Sequence, residues 1–241
     1  MKLKCIATGS TGNCYALISN AVEILLLDLG VSANEIKKGI DFKISDACGA
    51  VVTHHHKDHS KSVKDFERMG IPVFTPYISR EPMEIGKEFT IKAFDLTTAN
   101  GRWTHTDADG SECPCYGFLI THPEMGRMLY ITDCEVIKWR FKEIDHILLG
   151  VNYDKEMVDR SNPAKNNHVF RGHLEIGTAC DFVKVNYSER LQNVIMCHLS
   201  EGSADSDSFI GRMKQAVPAA NVDVTKPNKE WILKRGDEPP F

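Results

Sequence analysis

The chain has 241 residues, 42% hydrophobic and 26% charged, with a formal net charge of −4; that length fits one sheet-rich domain able to bury a sizeable core without metals as staples. The acidic balance excludes a protein that coats nucleic acid generally, though it leaves room for a local basic groove, and no apolar run approaches the ~18 residues of a membrane span. Eight scattered cysteines without a C-x-x-C pair read as reduced thiols of a cytoplasmic protein rather than a disulfide framework.

Met1-Lys2-Leu3-Lys4 opens without a secretory apolar stretch, and residues 3–7 alternate as a first strand. Residues 8–13 form a turn-rich loop, followed by strands over 14–18 and 22–28 about a tight turn near Ser19-Asn20. Residues 32–38 read as a helix with Ser32 at its N-cap. A short apolar strand, Ala50-Val51-Val52-Thr53, enters a histidine cluster; a helix over 60–69 then stops at Gly70. Residues 72–74 and 89–99 read as strands, and 116–121 with 128–132 as a hairpin. An apolar strand over 144–151, a helix over 174–185 and a strand over 193–197 aimed at His198 follow. A helix over 205–216, a strand over 222–225 and a polar tail over 229–241 complete the chain. No linker or repeat divides it, so a single α/β domain spanning 1–241 with two packed sheets is expected.

The chemistry concentrates in His54-His55-His56-Lys57-Asp58-His59. Residues two apart on an extended chain share a side, so His54 and His56 can reach one ion. Asp58 and His59 come where the helix begins, and the turn re-aims them at a second ion. The pattern H-x-H-x-D-H leaves His55 as a spacer pointing away. Imidazole with a hard carboxylate suits zinc, manganese or iron. A solvated, histidine-rich helix entry is the competing reading. A two-metal site needs further ligands where other strands end; His105, Asp133 and His198 stand at such positions. Cys113-Pro-Cys115 is the one close cysteine pair, and a zinc knuckle there lacks two more soft ligands nearby in sequence.

Leu27-Asp28-Leu29-Gly30, the His54 to His59 signature, His105, Thr132-Asp133 and His198, in that order, resemble the metallo-β-lactamase fold superfamily. The resemblance implies a four-layer αββα sandwich with a dinuclear site at one edge of the paired sheets. Gly9-Ser10-Thr11-Gly12-Asn13-Cys14, Tyr116 to Ile120, Asn152-Tyr153-Asp154, Gly172-His173-Leu174 and His198-Leu199-Ser200 resemble its WalJ/YycJ-type branch. That branch is similar to metal-dependent nucleases, with a 5′-to-3′ DNA exonuclease role proposed. The chain departs from it at Gly150, in a stretched segment over 106–112, and over 201–205. Carried over, His54, His56 and His105 would hold one divalent ion, zinc or manganese. Asp58, His59 and His198 would hold the other, and Asp133 would bridge. Asp28 would accept a hydrogen bond from a ligating imidazole, or be a plain strand-end turn former.

Two ions about 3.5–4 Å apart lower the pKa of a shared water toward neutrality, and the hydroxide would attack phosphorus in line. Asp58 or Asp133 would orient it or take its proton. His173 follows Gly172 and opens the helix predicted over 174–185, where backbone N–H groups favour anions. It has three readings: oxyanion stabiliser or leaving-group acid, structural histidine, or substitute ligand for His198. The loop from Ser10 to Asn13 is either a phosphate cradle or an ordinary turn. Lys57, Lys61, Lys64 and Arg68 either meet a nucleic-acid backbone or form a solvated face. Asn152 is a substrate or ligand-supporting candidate; Tyr153 and Trp103 either stack on a base or pack in the core. The function expected is a phosphodiesterase or exonuclease on DNA; a thioester or lactam hydrolase on the same fold is the alternative. A di-iron redox site would carry a carboxylate where His56 stands.

Overall fold

β1 (Lys2–Ala7) buries Leu3 and Cys5 while its alternate side chains stay partly exposed, the period-2 pattern of a strand with one covered face. It pairs antiparallel with β2 (Cys14–Ile18), Leu3 opposite Leu17. β3 (Ile24–Leu27) is a run of four aliphatic residues buried along its whole length, because both of its faces are covered. It pairs antiparallel with β2 and parallel with β4 (Ala47–Val51), which pairs parallel with β5 (Val73–Phe74). The computed structural model describes residues 1–81, 85–107, 109–158, 172–200 and 204–236.

The crossover from β3 to β4 carries α1 (Ala33–Gly39). Ser32 and Glu35 open it with a reciprocal capping box, which satisfies two otherwise orphan N–H groups. Between β4 and β5 run α2 (Lys57–Ser60) and α3 (Val63–Arg68). The sequence reading of one helix over 60–69 is corrected here. Ser62 N donates to Leu29 O at 2.9 Å and its hydroxyl to Val31 O at 2.5 Å. Those bonds pull residue 62 onto the chain after β3 and split the helix in two.

The second sheet holds β6 (Thr90–Asp95), β7 (Tyr116–His122) and β8 (Gly126–Ile131), each antiparallel to the next. β9 (His146–Gly150), β10 (Asn193–Cys197) and β11 (Asn221–Val224) extend it in parallel from β8. α4 (Ile176–Val185) and α5 (Ser206–Ala216) make the crossovers on either side of β10. The tail expected over 229–241 is also corrected: β12 (Glu230–Ile232) pairs antiparallel with β1, and Leu233 N donates to Met1 O at 2.9 Å. Residues 237–241 of that tail, 201–203 of the departing segment and Ala108 lie outside the described residues.

The sheets run β12-β1-β2-β3-β4-β5 and β11-β10-β9-β8-β7-β6. Between them lies an apolar layer of Leu17, Leu25, Leu27 and Val51 against Phe118, Met128, Tyr130 and Leu148. Ile36 of α1 and Phe66 of α3 cover the outer face of the first sheet. Ile176, Val183, Phe209 and Met213 of α4 and α5 cover the outer face of the second. The chain is therefore an αββα sandwich, as expected. Cutting a fully buried leucine such as Leu148 to alanine costs roughly 2–5 kcal/mol. Among the described residues no helix is long and apolar enough to cross a membrane.

Candidate metal centre

The carboxyl ends of the inner strands open at one edge, the usual place for ligands in sheets with parallel strands. Asp28 directly follows β3 and His198 directly follows β10. His54 lies three residues past β4, and Asp133 and Asn152 two past β8 and β9. Asp28, Asp133 and His198 have φ of 58°, 46° and 55°. A left-handed backbone at a non-glycine residue is strained and persists where packing over-determines it. Here it turns each side chain off its strand end and into the site.

The seven residues expected to ligate metal fall into two adjoining groups. His54, His56 and His105 form the first, with ring centroids 4.7–4.8 Å apart. Asp58, His59, Asp133 and His198 form the second, one ligand atom of each lying within 4.8 Å of the others. Asp133 Oδ2 faces both groups. It is 2.8 Å from His59 Nε2, 3.6 Å from His198 Nε2 and 3.8 Å from His54 Nε2.

Hydrogen bonds behind the rings decide which nitrogen is left to face inward. Thr53 Oγ1 lies 3.2 Å from both Asp28 oxygens, so it donates to the carboxylate and accepts from His54 Nδ1 at 3.0 Å. His54 Nε2 is then a bare acceptor, buried and without a hydrogen-bond partner. His56 Nε2 donates to Asp107 Oδ1 at 2.7 Å, and His105 Nδ1 donates to Gly172 O at 3.0 Å. That leaves His56 Nδ1 and His105 Nε2 as lone pairs facing each other across 3.1 Å. Two acceptors at that distance repel unless a proton or a cation sits between them. His59 Nδ1 donates to Asp28 Oδ2 at 2.6 Å, turning Nε2 toward Asp58 and Asp133.

His198 differs. Asn152 Oδ1 accepts from Leu174 N at 3.0 Å, which turns the amide nitrogen toward His198 Nδ1 at 2.9 Å. In this arrangement the His198 proton sits on Nε2, aimed at Asp58 Oδ2 at 3.4 Å. To ligate through Nε2 this ring must move its proton to Nδ1 and the Asn152 amide must turn.

The electrostatics follow the same division. Burial holds His54 far below the usual histidine range and His105 at about 4, so both are neutral, as ligation requires. Burial also opposes charge on His59, but Asp28 and Asp133 outweigh it and raise that ring well above its ordinary value. Burial likewise opposes the Asp133 carboxylate, and His198 and His59 outweigh it. Asp58 is lowered against the cost of burial by hydrogen bonds from His198 and His59. Both carboxylates are therefore ionised at neutral pH, ready for a cation.

Other expectations fare differently. His173 does not open a helix: α4 starts at Ile176, and the Glu175 side chain caps it by accepting from Thr178 N at 3.1 Å. A carboxylate occupies the terminus that was to attract an anion. His173 nevertheless stands between the groups, its ring 6.0 Å from that of His105 and 6.2 Å from that of His198. In the loop over 10–13, two of the four backbone N–H groups that would cradle a phosphate, those of Gly12 and Asn13, are already committed. Gly12 N donates to Gly9 O, Asn13 N to Asp58 O and Gly9 N to Asn13 Oδ1, so the loop binds itself and the metal segment. Asn13 steadies the main chain at Asp58, and Ser10 sits on the exposed outside of the turn. Tyr153 is 7% exposed, too buried to stack on a base. Trp103 packs against Tyr116 at 5.2 Å. Lys57, Lys61, Lys64 and Arg68 are exposed, and Arg68 reaches Asp65 at 3.5 Å.

His55, expected as a spacer, faces away from the two groups, and its Nε2 lies 3.0 Å from Asp107 Oδ1. Sequence reasoning gave no role to Asp107, Thr53, Tyr130 or Gly172. Asp107 had a signal, a carboxylate two residues after His105. The Gly172 carbonyl had none. Tyr130, which donates to Asp28 Oδ2 at 2.5 Å, reads in sequence as one more core aromatic.

No protein-family model matches the sequence. The chain is 27% identical over 171 residues to the exodeoxyribonuclease YycJ of Bacillus anthracis. That match covers 64% of this chain and 63% of that protein, a little under two thirds of the relative's length. In structure it is similar to the metallo-β-lactamase fold protein YhfI from Bacillus subtilis, with a TM-score of 0.67 at 14% identity over 95% of this chain and 98% of that one. It is also similar to the short form of human tRNase Z, with a TM-score of 0.61 at 15% identity over 97% and 99% of the two chains.

Proposed function

We propose that this chain, a protein of the metallo-β-lactamase fold, is a hydrolase that binds two divalent cations, zinc or manganese, and cleaves phosphodiesters at the ends of a nucleic acid, DNA in the first instance. The single observation that carries the metal reading is the pair of facing acceptors, His56 Nδ1 and His105 Nε2, 3.1 Å apart. The orphaned His54 Nε2 beside Asp133 repeats it. With no proton between them such acceptors repel, and a cation relieves that repulsion. His54, His56 and His105 would hold one ion, Asp58, His59 and His198 the other, with Asp133 between them. When bound, such ions supply an activated water and neutralise charge growing on the phosphoryl oxygens.

The chain's own residues do the rest. Asp28 and Thr53 hold the rings of both groups in register, and Asp107 and the Gly172 carbonyl fix His56 and His105. Asp58 and Asp133, both ionised, orient the attacking water by accepting its protons. His173 is the leaving-group acid in this reading, because it is a histidine beside both groups that is not needed as a ligand. The nucleic-acid substrate leans on the likeness to an exodeoxyribonuclease and to a tRNase Z structure, and on the exposed cations of α2 and α3.

The test is to load the full chain with zinc and, separately, manganese. It is then incubated with end-labelled duplex DNA, the equivalent RNA, a chromogenic lactam and a thioester. Stepwise shortening of DNA that chelator abolishes is expected. Turnover of the lactam or thioester with both nucleic acids left intact overturns the substrate claim.

A further inference from the structure

Two features of the sequence find no role in the two groups, the spare His55 and the Cys113 of the lone close cysteine pair, and Asp107 of the stretched segment, which already holds His56, stands between them. The fold brings them together. His55 Nε2 is 3.0 Å from Asp107 Oδ1, and His55 Nδ1 is 3.6 Å from Cys113 Sγ. One ligand atom from each of His55, His56, Asp107 and Cys113 lies within 4.8 Å of the others. Backbone bonds hold the loop side in place: Thr106 bridges Glu112, Asp107 N donates to Ser111 O at 2.9 Å, and Cys113 N donates to His105 O at 3.0 Å. His55 is held because both of its neighbours turn inward. Too few soft ligands stand near Cys113 in sequence for a metal; the fold adds an imidazole from 58 residues earlier and a carboxylate from the other end of the loop.

We propose that His55, Asp107 and Cys113 form a third cation site, for an ion of the zinc class, on the open flank of the dinuclear centre. Imidazole, carboxylate and thiolate together suit a borderline-soft ion and not magnesium or manganese. Ligand atoms on a tetrahedral zinc stand roughly 3.3–3.7 Å apart. His55 Nδ1 and Cys113 Sγ already lie in that range, which makes Nδ1 the ligating nitrogen; Asp107, 3.0 Å from the other nitrogen of the ring, must turn a carboxylate oxygen toward the ion, within a cluster whose ligand atoms already lie within 4.8 Å of one another. The fourth position opens to solvent, since the His55 side chain is 47% exposed. His56 stays out of this site, because its Nε2–H is held by the same Asp107 oxygen at 2.7 Å. Asp107 therefore links the third ion to a ligand of the first group, and the ion ties Asp107 and Cys113 to the histidine segment.

The full chain should bind three cobalt(II) ions and show a thiolate-to-cobalt charge-transfer band in the near ultraviolet. Manganese loading should stop at two. Cys113→Ser should lose the band and one ion. His55→Ala, a half-exposed position, should lose one ion and serves if Cys113→Ser does not fold. Two cobalt ions without a thiolate band in the wild type, or a band that survives Cys113→Ser, overturns the third site and leaves the dinuclear reading standing. One ion or none in the wild type overturns both.

Discussion

His59 Nδ1 lies 2.6 Å from Asp28 Oδ2, and neither side chain is exposed at all. The same carboxylate accepts from Thr53 N at 2.8 Å and from Tyr130 OH at 2.5 Å, and it reaches His54 through the Thr53 hydroxyl. One buried aspartate therefore fixes a ring in each group. Partners of this kind behind a ligand typically matter 10–100-fold in metal affinity. Asp28→Asn keeps the shape but turns one end of the side chain into a donor, facing Thr53 or the donors of Tyr130 and His59. Affinity at both ions should weaken by about 10–100-fold in competition with a chromophoric chelator. Unchanged affinity at both would remove Asp28 from the ligand-holding network.

His173→Ala separates an acid from a ligand. If His173 protonates the leaving group, the variant keeps its metal content and loses roughly 10²–10⁴-fold in kcat on DNA. The loss should shrink on a substrate whose leaving group needs no proton, such as a nitrophenyl phosphodiester. Loss of one ion, measured by elemental analysis, would make His173 a ligand and sink the acid assignment.

What was legible in the sequence was local. The alternation over 116–121 and 128–132 showed the hairpin of β7 and β8, though β8 begins two residues earlier, at Gly126, and the apolar run over 193–197 gave β10, with His198 directly after it. The cluster at His54 to His59 showed its spacing because strand and helix entry are short-range events. Contacts from far along the chain were not legible. β12 is three residues of middling strand character that exist as a strand only by pairing with Lys2, Leu3 and Lys4. The break at Ser62 depends on a carbonyl 31 residues earlier. His55 reads in sequence as a spacer and Cys113 as half of a close pair short of ligands; only the fold sets Asp107 and Cys113 beside His55.

Gly172 has φ +96° and a carbonyl that orients His105; a Cβ there would collide with His105 Nδ1. Gly172→Ala combines backbone strain of about 1–3 kcal/mol with that collision against a ligand ring. It should cost the first-group ion before it costs the fold. Elemental analysis is expected to fall by one ion while far-ultraviolet circular dichroism is retained. A fully loaded variant would mean that the Gly172 carbonyl does not position His105.

Away from the candidate metal centre, acid stability turns on His146, which opens β9 opposite Asn193 of β10. Asn193 Nδ2 donates to His146 Nδ1 at 3.0 Å, so the ring proton sits on Nε2 and goes to Lys234 O at 2.9 Å. Burial lowers this ring to about 4, outweighing the hydrogen bond to Lys234, which favours the charged form. An unfolded histidine titrates near 6.5, so between pH 6.5 and 4 the unfolded chain takes up a proton that the folded chain refuses. Stability is full above pH 6.5 and is lost as pH falls through that window, by about 2 kcal/mol from pH 7 to 4.5. A glutamine side chain cannot titrate, so the stability gap between wild type and His146→Gln should move toward the variant by that amount. Urea unfolding of both proteins in chelator, at matched pH, cancels the shared titration of the ligand histidines. A gap that stays constant from pH 7 to 4.5 would mean that His146 is solvated well enough to accept its proton in the folded chain.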